Sequence, residues 1–244
     1  ERLIDRAAEE IGIERLALRR RNYIRPHQMP YRTGLTYTYD CGEFEAATDV
    51  ALPLSRFADF AGRRAESERR GRLRGIGFSY FIEIAAPLNE RMDLRFDQHG
   101  GLTVIAGTHS HGQGHDTVYA QMLSEWLGIP FESLSVVQGD TDRVPFGRGT
   151  FGSRSMVNGG SALRHATDDV VAKGRRLAAH HLEAAIEDIA FVDGKFAVAG
   201  TDRSIAIVDV AKASFAPMGP GAEFGLGLEG TGTFTPKQQN FPNG

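Results

Sequence analysis

Two glycine-rich segments carry the residue types from which a ligand site can be built. Gly107-Thr108-His109-Ser110-His111-Gly112-Gln113-Gly114-His115-Asp116 stands between a stretch of period-two apolar spacing and an amphipathic one, so it reads as a turn from a strand into a helix. The start of a helix has unpaired N–H groups and the positive end of a dipole, and glycines let a ligand approach the backbone, a combination suited to an anion such as phosphate. Gln113 adds a planar donor and acceptor that fit the edge of a heterocycle. The segment matches neither common nucleotide motif, because it lacks a third glycine at the dinucleotide spacing and any Lys-Ser/Thr pair. The second segment, Gly147-Arg148-Gly149-Thr150-Phe151-Gly152-Ser153-Arg154-Ser155, again opens a helix; it offers three hydroxyls, mobile backbone N–H groups, and a guanidinium on Arg148 or Arg154 able to grip phosphate with two bonds. Each segment alone reads as a flexible entry to a helix. Together they suggest opposite walls of one site for a polar, phosphorylated ligand.

Other candidates have a plainer reading beside the chemical one. His109, His111 and His115 could form a three-imidazole zinc site, but the first two share a face only in a strand and the third belongs to the next turn. Asp140 and Asp142 could hold a divalent cation, although aspartates at a strand-ending turn more often cap backbone groups. His180 and His181 fall within a helical pattern as surface or packing residues, and Cys41 has no base beside it in sequence to make it a nucleophile. No catalytic residue and no metal ligand is assigned.

The elements that position these segments follow from apolar spacing. Leu3, Ile4, Ala7, Ala8 and Ile11 give a first helix ended by Gly12, and Arg19 to Arg21 close a second as a solvated helix end. Residues 43–60 read as a helix broken by Pro53, followed by a charged linker over 62–72. Ile76, Phe78, Tyr80 and Ile82 alternate as a strand, as do Leu102, Val104 and Ala106. A helix from Asp116 to Leu127 is built on Val118, Met122 and Trp126, a short strand on Leu134 to Val137, and a long helix over 160–186. Short strands near Phe191, at Phe196 to Val198 and at Ile205 to Val208 lead to a glycine-rich tail. The mixture without strict alternation predicts an α+β fold, with a boundary near residue 72.

Composition narrows the class. The chain has 244 residues, 41% hydrophobic and 24% charged, which excludes collagen-like, disordered and coiled-coil readings. A net charge of −3 predicts no nucleic-acid footprint. No apolar run approaches the roughly 20 residues that span a bilayer, and the single cysteine fits a reducing compartment, so a cytoplasmic setting is expected. Termini at Glu1 and Gly244 without an initiator Met read as those of a fragment.

Read in order, Gly107-Thr108, then Gly112-Gln113-Gly114-His115-Asp116-Thr117-Val118-Tyr119-Ala120-Gln121, then Val136-Val137-Gln138-Gly139-Asp140-Thr141-Asp142 and Gly149-Thr150-Phe151-Gly152-Ser153-Arg154-Ser155 resemble the large, molybdenum-cofactor-binding subunit of the molybdenum hydroxylases. This family includes xanthine dehydrogenases, aldehyde oxidases and aerobic carbon monoxide dehydrogenases. The His after Gly-Gln-Gly and the Ser-Arg-Ser are most similar to the carbon monoxide dehydrogenase type, and the resemblance extends to Glu1–Asp5, Leu18–Asn22, Gly34–Tyr37 and Arg74–Gly77. It implies a fragment: residues 1–72 the end of a first cofactor-binding subdomain with its linker, residues 73–244 the N-terminal part of a second. The cofactor implied is molybdopterin, in its plain or cytosine dinucleotide form, with Gly112, Gln113, Gly114 and His115 near its pterin and phosphate. Thr150, Phe151, Gly152, Ser153, Arg154 and Ser155 would hold its phosphate region. The implied partners are iron–sulfur and FAD subunits or domains, a second copy of the large subunit and a small-molecule substrate. The family's active-site loop, with its copper-holding cysteine in the carbon monoxide enzymes, precedes the matched segment, and the glutamate base follows it. The resemblance therefore implies an apo, inactive piece in which Cys41 is no copper ligand. A stand-alone phosphate- or nucleotide-binding module without redox chemistry, and a His-based metal hydrolase, are the competing readings.

Overall fold

The computed structural model describes residues 1–216, 225–238 and 240–241. Two units divide the chain: residues 1–85, rejoined by the returning end at 240–241, and residues 86–238. The division follows Ala85 rather than residue 72, because the charged stretch expected as a linker is itself helical and the residues after it pack within the first unit.

In the first unit, α1 (Arg2–Ile11) ends at Gly12, whose φ of 68° is the left-handed cap expected from the sequence. Its apolar stripe is not covered by the described residues: Ala8 is buried, while Leu3 and Ile11 are exposed. α2 (Arg15–Asn22) starts at Glu14, whose carboxylate accepts from Ala17 N at 2.8 Å. The arginines of its last turn are not all solvated. Arg19 is 6% exposed, donates to Glu1 and Asp5, and lies over the Phe78 ring at 5.1 Å. A two-strand ribbon of β1 (Tyr31–Arg32) and β2 (Thr38–Tyr39) precedes α3 (Phe44–Leu54), which carries Pro53 within its last turn, and α4 (Phe60–Arg69). The strand expected at Ile76–Ile82 does not form. Its alternation survives as half-buried Ile76, Phe78, Tyr80 and Ile82 against exposed Gly77, Ser79 and Phe81, but among the described residues no strand pairs along it. Apolar spacing reports which side faces the interior; a ladder also needs a neighbour. At the end of this segment Ala85 N donates to Asn240 O at 2.9 Å.

The second unit is built on a four-stranded sheet of order β5-β4-β3-β9, comprising β3 (Glu90–Phe96), β4 (Leu102–Ala106), β5 (Leu134–Val137) and β9 (Glu229–Phe234). β3 is antiparallel to β4 and β9; β4 runs parallel to β5 through the crossover helix α5 (His115–Leu127). The sequence reading missed β3 because charges interrupt Met92, Leu94 and Phe96. Two of those charges are buried with partners: Asp93 accepts from Thr231 Oγ1 at 2.7 Å, and Glu90 pairs with Arg154. It missed β9 as well, assigning Gly230-Thr231-Gly232 to a tail. There α6 (Ser161–His181) lies directly on the strand: a Cβ on Gly232 would stand 2.0 Å from the Ala162 carbonyl, so only glycine permits the contact. Between β3–β4 and the helices sit Met92, Leu94, Val104, Leu123, Leu127 and Leu163, all fully buried. A three-stranded antiparallel sheet, β6 (Ile189–Val192), β7 (Lys195–Val198) and β8 (Ser204–Ala206), closes the α6 side. The strand expected through Val208 ends at Ala206, where α7 (Ile207–Ala213) begins. Helices and mixed sheets together make the α+β fold expected.

Candidate functional site

The two glycine-rich loops lie side by side. The first runs from β4 to α5; the second leads through a π-helical turn at Ser155–Gly160 into α6, a distortion that recurs at functional sites. Gly149 N donates to Gly107 O at 3.0 Å and His109 N to Thr150 Oγ1 at 3.1 Å. Thr150 Oγ1 lies 3.0 Å from Ser155 Oγ. Tyr119, one turn into α5, ties the loops from below: its hydroxyl is 2.9 Å from Thr108 Oγ1 and donates to the Ser155 carbonyl at 3.2 Å. The contact is backbone on backbone, since a Cβ on Gly147 would stand 2.5 Å from Gly107 O.

Gly114 is the N-cap of α5, with φ 74° and no side-chain cap, so the N–H groups of the first turn remain for a ligand. Gln113 folds back over its own loop, its Oε1 accepting from His111 N. His115 is 4% exposed, its ring 5.2 Å from that of Tyr119; among the described residues neither ring nitrogen has a partner in full hydrogen-bond geometry, with the Gln138 amide the nearby polar group that favours its protonated form. Burial holds its pKa below the usual histidine value, only partly opposed by Gln138 and Asp116. A buried imidazole whose nitrogens are not fully matched, behind a helix N-terminus, leaves hydrogen-bonding capacity for a ligand. Gln138 braces the same loop, accepting from Ser110 N at 3.0 Å and donating to Asp116 Oδ1 at 2.9 Å.

In the second loop Gly149, Gly152 and Ser153 have positive φ, and Phe151 and Ser153 are exposed. Arg154 differs from the expectation. Its guanidinium is fully buried and engaged by Glu90 and three backbone carbonyls, so it has no free fork with which to grip a ligand. Arg148, the other cation considered, is exposed over the Phe146 ring at 5.2 Å. A cavity of about 400 Å³ opens where the loops meet, lined by Gly107–His109, Gly139–Thr141 and Val144–Gly147 with Gly149. Asp140 caps its turn, its carboxylate accepting from Asp142 N at 3.0 Å. The His109 and His111 rings lie 5.2 Å apart, tilted by 60°, and among the described residues no three His, Cys, Asp or Glu side chains converge on a metal position.

The sequence reading missed Glu90, Asn158 and the segment 86–89. Asn158, buried in the π-turn, donates to the carbonyls of Pro87 at 3.0 Å and Leu88 at 3.2 Å, and its own Oδ1 has no partner among the described residues. The only sequence signal was Asn158-Gly159-Gly160, a loop-like triplet at the head of a long helix.

The molybdopterin cofactor-binding domain family matches residues 51–244. The carbon monoxide dehydrogenase large chain of Hydrogenophaga pseudoflava is 32% identical over the whole chain, and the 6-hydroxypseudooxynicotine dehydrogenase complex subunit gamma of Paenarthrobacter nicotinovorans is 35% identical over 87% of it. Among solved structures, a Cu,Mo-CO dehydrogenase superposes over the whole chain with a TM-score of 0.67 at 30% identity. Quinoline 2-oxidoreductase from Pseudomonas putida 86 does so over 99% with 0.63 at 28%. The chain spans about a third of the length of these relatives, 28% to 33%. With the match covering both loops and the sheet that carries them, the chain belongs to the molybdopterin cofactor-binding domain family.

Proposed function

We propose that this chain forms one bed of the molybdopterin site in the large subunit of a molybdenum hydroxylase. The observation that carries the reading is the pairing of two glycine-rich loops across Gly107–Gly149 and His109–Thr150 beside the buried imidazole of His115. The donor set fits such a group: backbone N–H groups at a helix start, hydroxyls of Thr150, Ser153 and Ser155, and an imidazole available to donate, all suited to phosphate and pterin edges. Gly112, Gln113, Gly114 and His115 would face the pterin and its phosphate; Thr150 to Ser155 would hold the phosphate region, with Arg154 acting from behind. The chain need offer no metal ligands, because the cofactor holds molybdenum through its own dithiolate. When bound, the cofactor supplies the centre at which a small-molecule substrate is oxidised by two electrons. The residues of this chain orient it and exclude water, and none of them is assigned the role of catalytic base. Iron–sulfur and FAD subunits or domains would receive the electrons and a second large subunit would complete the assembly, in the cytoplasm. A relative that is one subunit of a dehydrogenase complex supports the multi-subunit part of this reading, and no helix of the described residues is long and apolar enough to cross a membrane. The names of the relatives span carbon monoxide, nicotine derivatives and quinoline, so substrate choice would lie with pocket walls other than these loops.

The test is cofactor content of the full-length protein purified with its partner subunits. Gln113→Glu keeps the acceptor that His111 N uses and adds a negative charge beside the cradle. We expect molybdenum and pterin to fall together by roughly tenfold or more, as repulsion between the new carboxylate and an anionic ligand implies. Full content in that variant, or a purified protein holding a phosphorylated metabolite without molybdenum, would overturn the reading.

A further inference from the structure

We infer that Arg154 and Glu90 are positioning residues for this bed: a buried ion pair that fixes the second loop's backbone so that its N–H groups face the ligand. The inference rests on the function proposed above. Both side chains are 0% exposed, and Arg154 Nη1 lies 2.5 Å from Glu90 Oε2. The same guanidinium donates to the carbonyls of Gly149 at 2.6 Å, Asn89 at 2.6 Å and Pro87 at 3.2 Å. Glu90 faces the first loop in turn, because a Cβ on Gly107 would stand 2.2 Å from its Oε1. One ion pair therefore touches both loops.

The peptide plane supplies the consequence. In a trans peptide the carbonyl of one residue and the N–H of the next point in opposite directions, so drawing Gly149 O inward to Arg154 turns the Thr150 N–H outward. Consecutive N–H groups held outward form an anion-binding hollow, whereas a carbonyl released from Arg154 would present its negative end to the phosphate. The pair also holds a strained support. Ala86 and Leu88 have φ of 62° and 65°, conformations that non-glycine residues adopt only where the surroundings impose them. Ala86 N donates to Gly152 O at 3.1 Å, and Arg154 and Asn158 grip the carbonyls of residues 87–89. Lysine could keep the charge at position 154 but not the planar fork that reaches four acceptors at once.

Arg154→Lys, Glu90→Gln and Gln113→Glu in the full-length protein with its partner subunits separate this role from bulk stability. Pterin is read as fluorescence after oxidative release and molybdenum by elemental analysis, with melting of the cofactor-stripped protein as the second readout. We expect Arg154→Lys to lose about tenfold or more of its bound pterin, the range for residues that orient ligands from behind, and to lower the melting of the stripped protein by less than that of the untreated one. Normal pterin content would overturn the inference, and so would a stripped protein that melts as far below wild type as the untreated one. If Arg154→Lys does not fold, Glu90→Gln, which removes the charge of the pair and keeps its shape, decides: a loss of about threefold supports the inference and unchanged content overturns it. Gln113→Glu keeps the two ideas apart. Its failure to lower pterin would sink the cofactor reading itself; a loss there with none in Arg154→Lys would sink only the positioning role.

Discussion

The two units of this chain are held together by different physics. Residues 86–238 bury Met92, Leu94, Val104, Leu123, Leu127 and Leu163 completely between sheet and helices. Among the described residues of the first unit, the buried apolar side chains are Ala8, Phe44, Ala85 and Phe241, and its helices are joined chiefly by arginine–carboxylate pairs: Arg19 with Glu1 and Asp5, and Arg20 with Glu45 and Asp49. A ligand cradle must hold its geometry to a fraction of an ångström, and the loops that form it grow from the unit with the dense core. The charge-held unit needs no such precision.

The largest expected effect is in the core. Leu123→Ala should destabilise residues 86–238 by about 2–5 kcal/mol through lost burial and a residual cavity, measured by denaturant unfolding with amide exchange followed on α6. A cost below about 1 kcal/mol would break the contrast between the units. Next comes the best-buried charge of the first unit: Arg19→Met should cost about 1–3 kcal/mol, read from exchange in α1 and α2, because Glu1 and Asp5 lose a partner but keep access to water. Raising salt to 1 M, where the screening length is about 3 Å, should speed exchange in α1 and α2 and leave the protected amides of α6 unchanged. At the small end, Arg64→Ala on the exposed face of α4 should shift stability by no more than about 0.5 kcal/mol.

Acid sharpens the contrast in the site itself. Burial lowers the His115 pKa in the folded chain, so the unfolded chain takes up the proton first as pH falls through the ordinary histidine value near 6.5. Stability of residues 86–238 should therefore decline with acidification from that point down to the lowered folded value. His115→Gln should flatten that slope; an unchanged slope in the variant would place the titrating group elsewhere.

Much of the site was legible because its signals are local. Glycines at strand-to-helix turns, hydroxyls at fixed offsets and the Gly-Gln-Gly-His run place both loops without any knowledge of what packs against them. The spacing behind β4, α5 and β5 was legible for the same reason. What stayed hidden depends on distant partners. Glu90 and Arg154 are 64 residues apart in sequence, and nothing local marks either as buried. β9 was unreadable because the residues that let α6 approach it are glycines, the same type that signals a loop. Ile76–Ile82 failed in the opposite direction, with clear alternation and no neighbouring strand among the described residues.

The hydrogen bond from Ala85 to Asn240 means that the chain departs for residues 86–238 and comes back at a single doorway. Such a segment behaves as a cassette. Chain ends held this close are where insertions are best tolerated, so residues 86–238 are the segment of this chain most open to exchange as one piece.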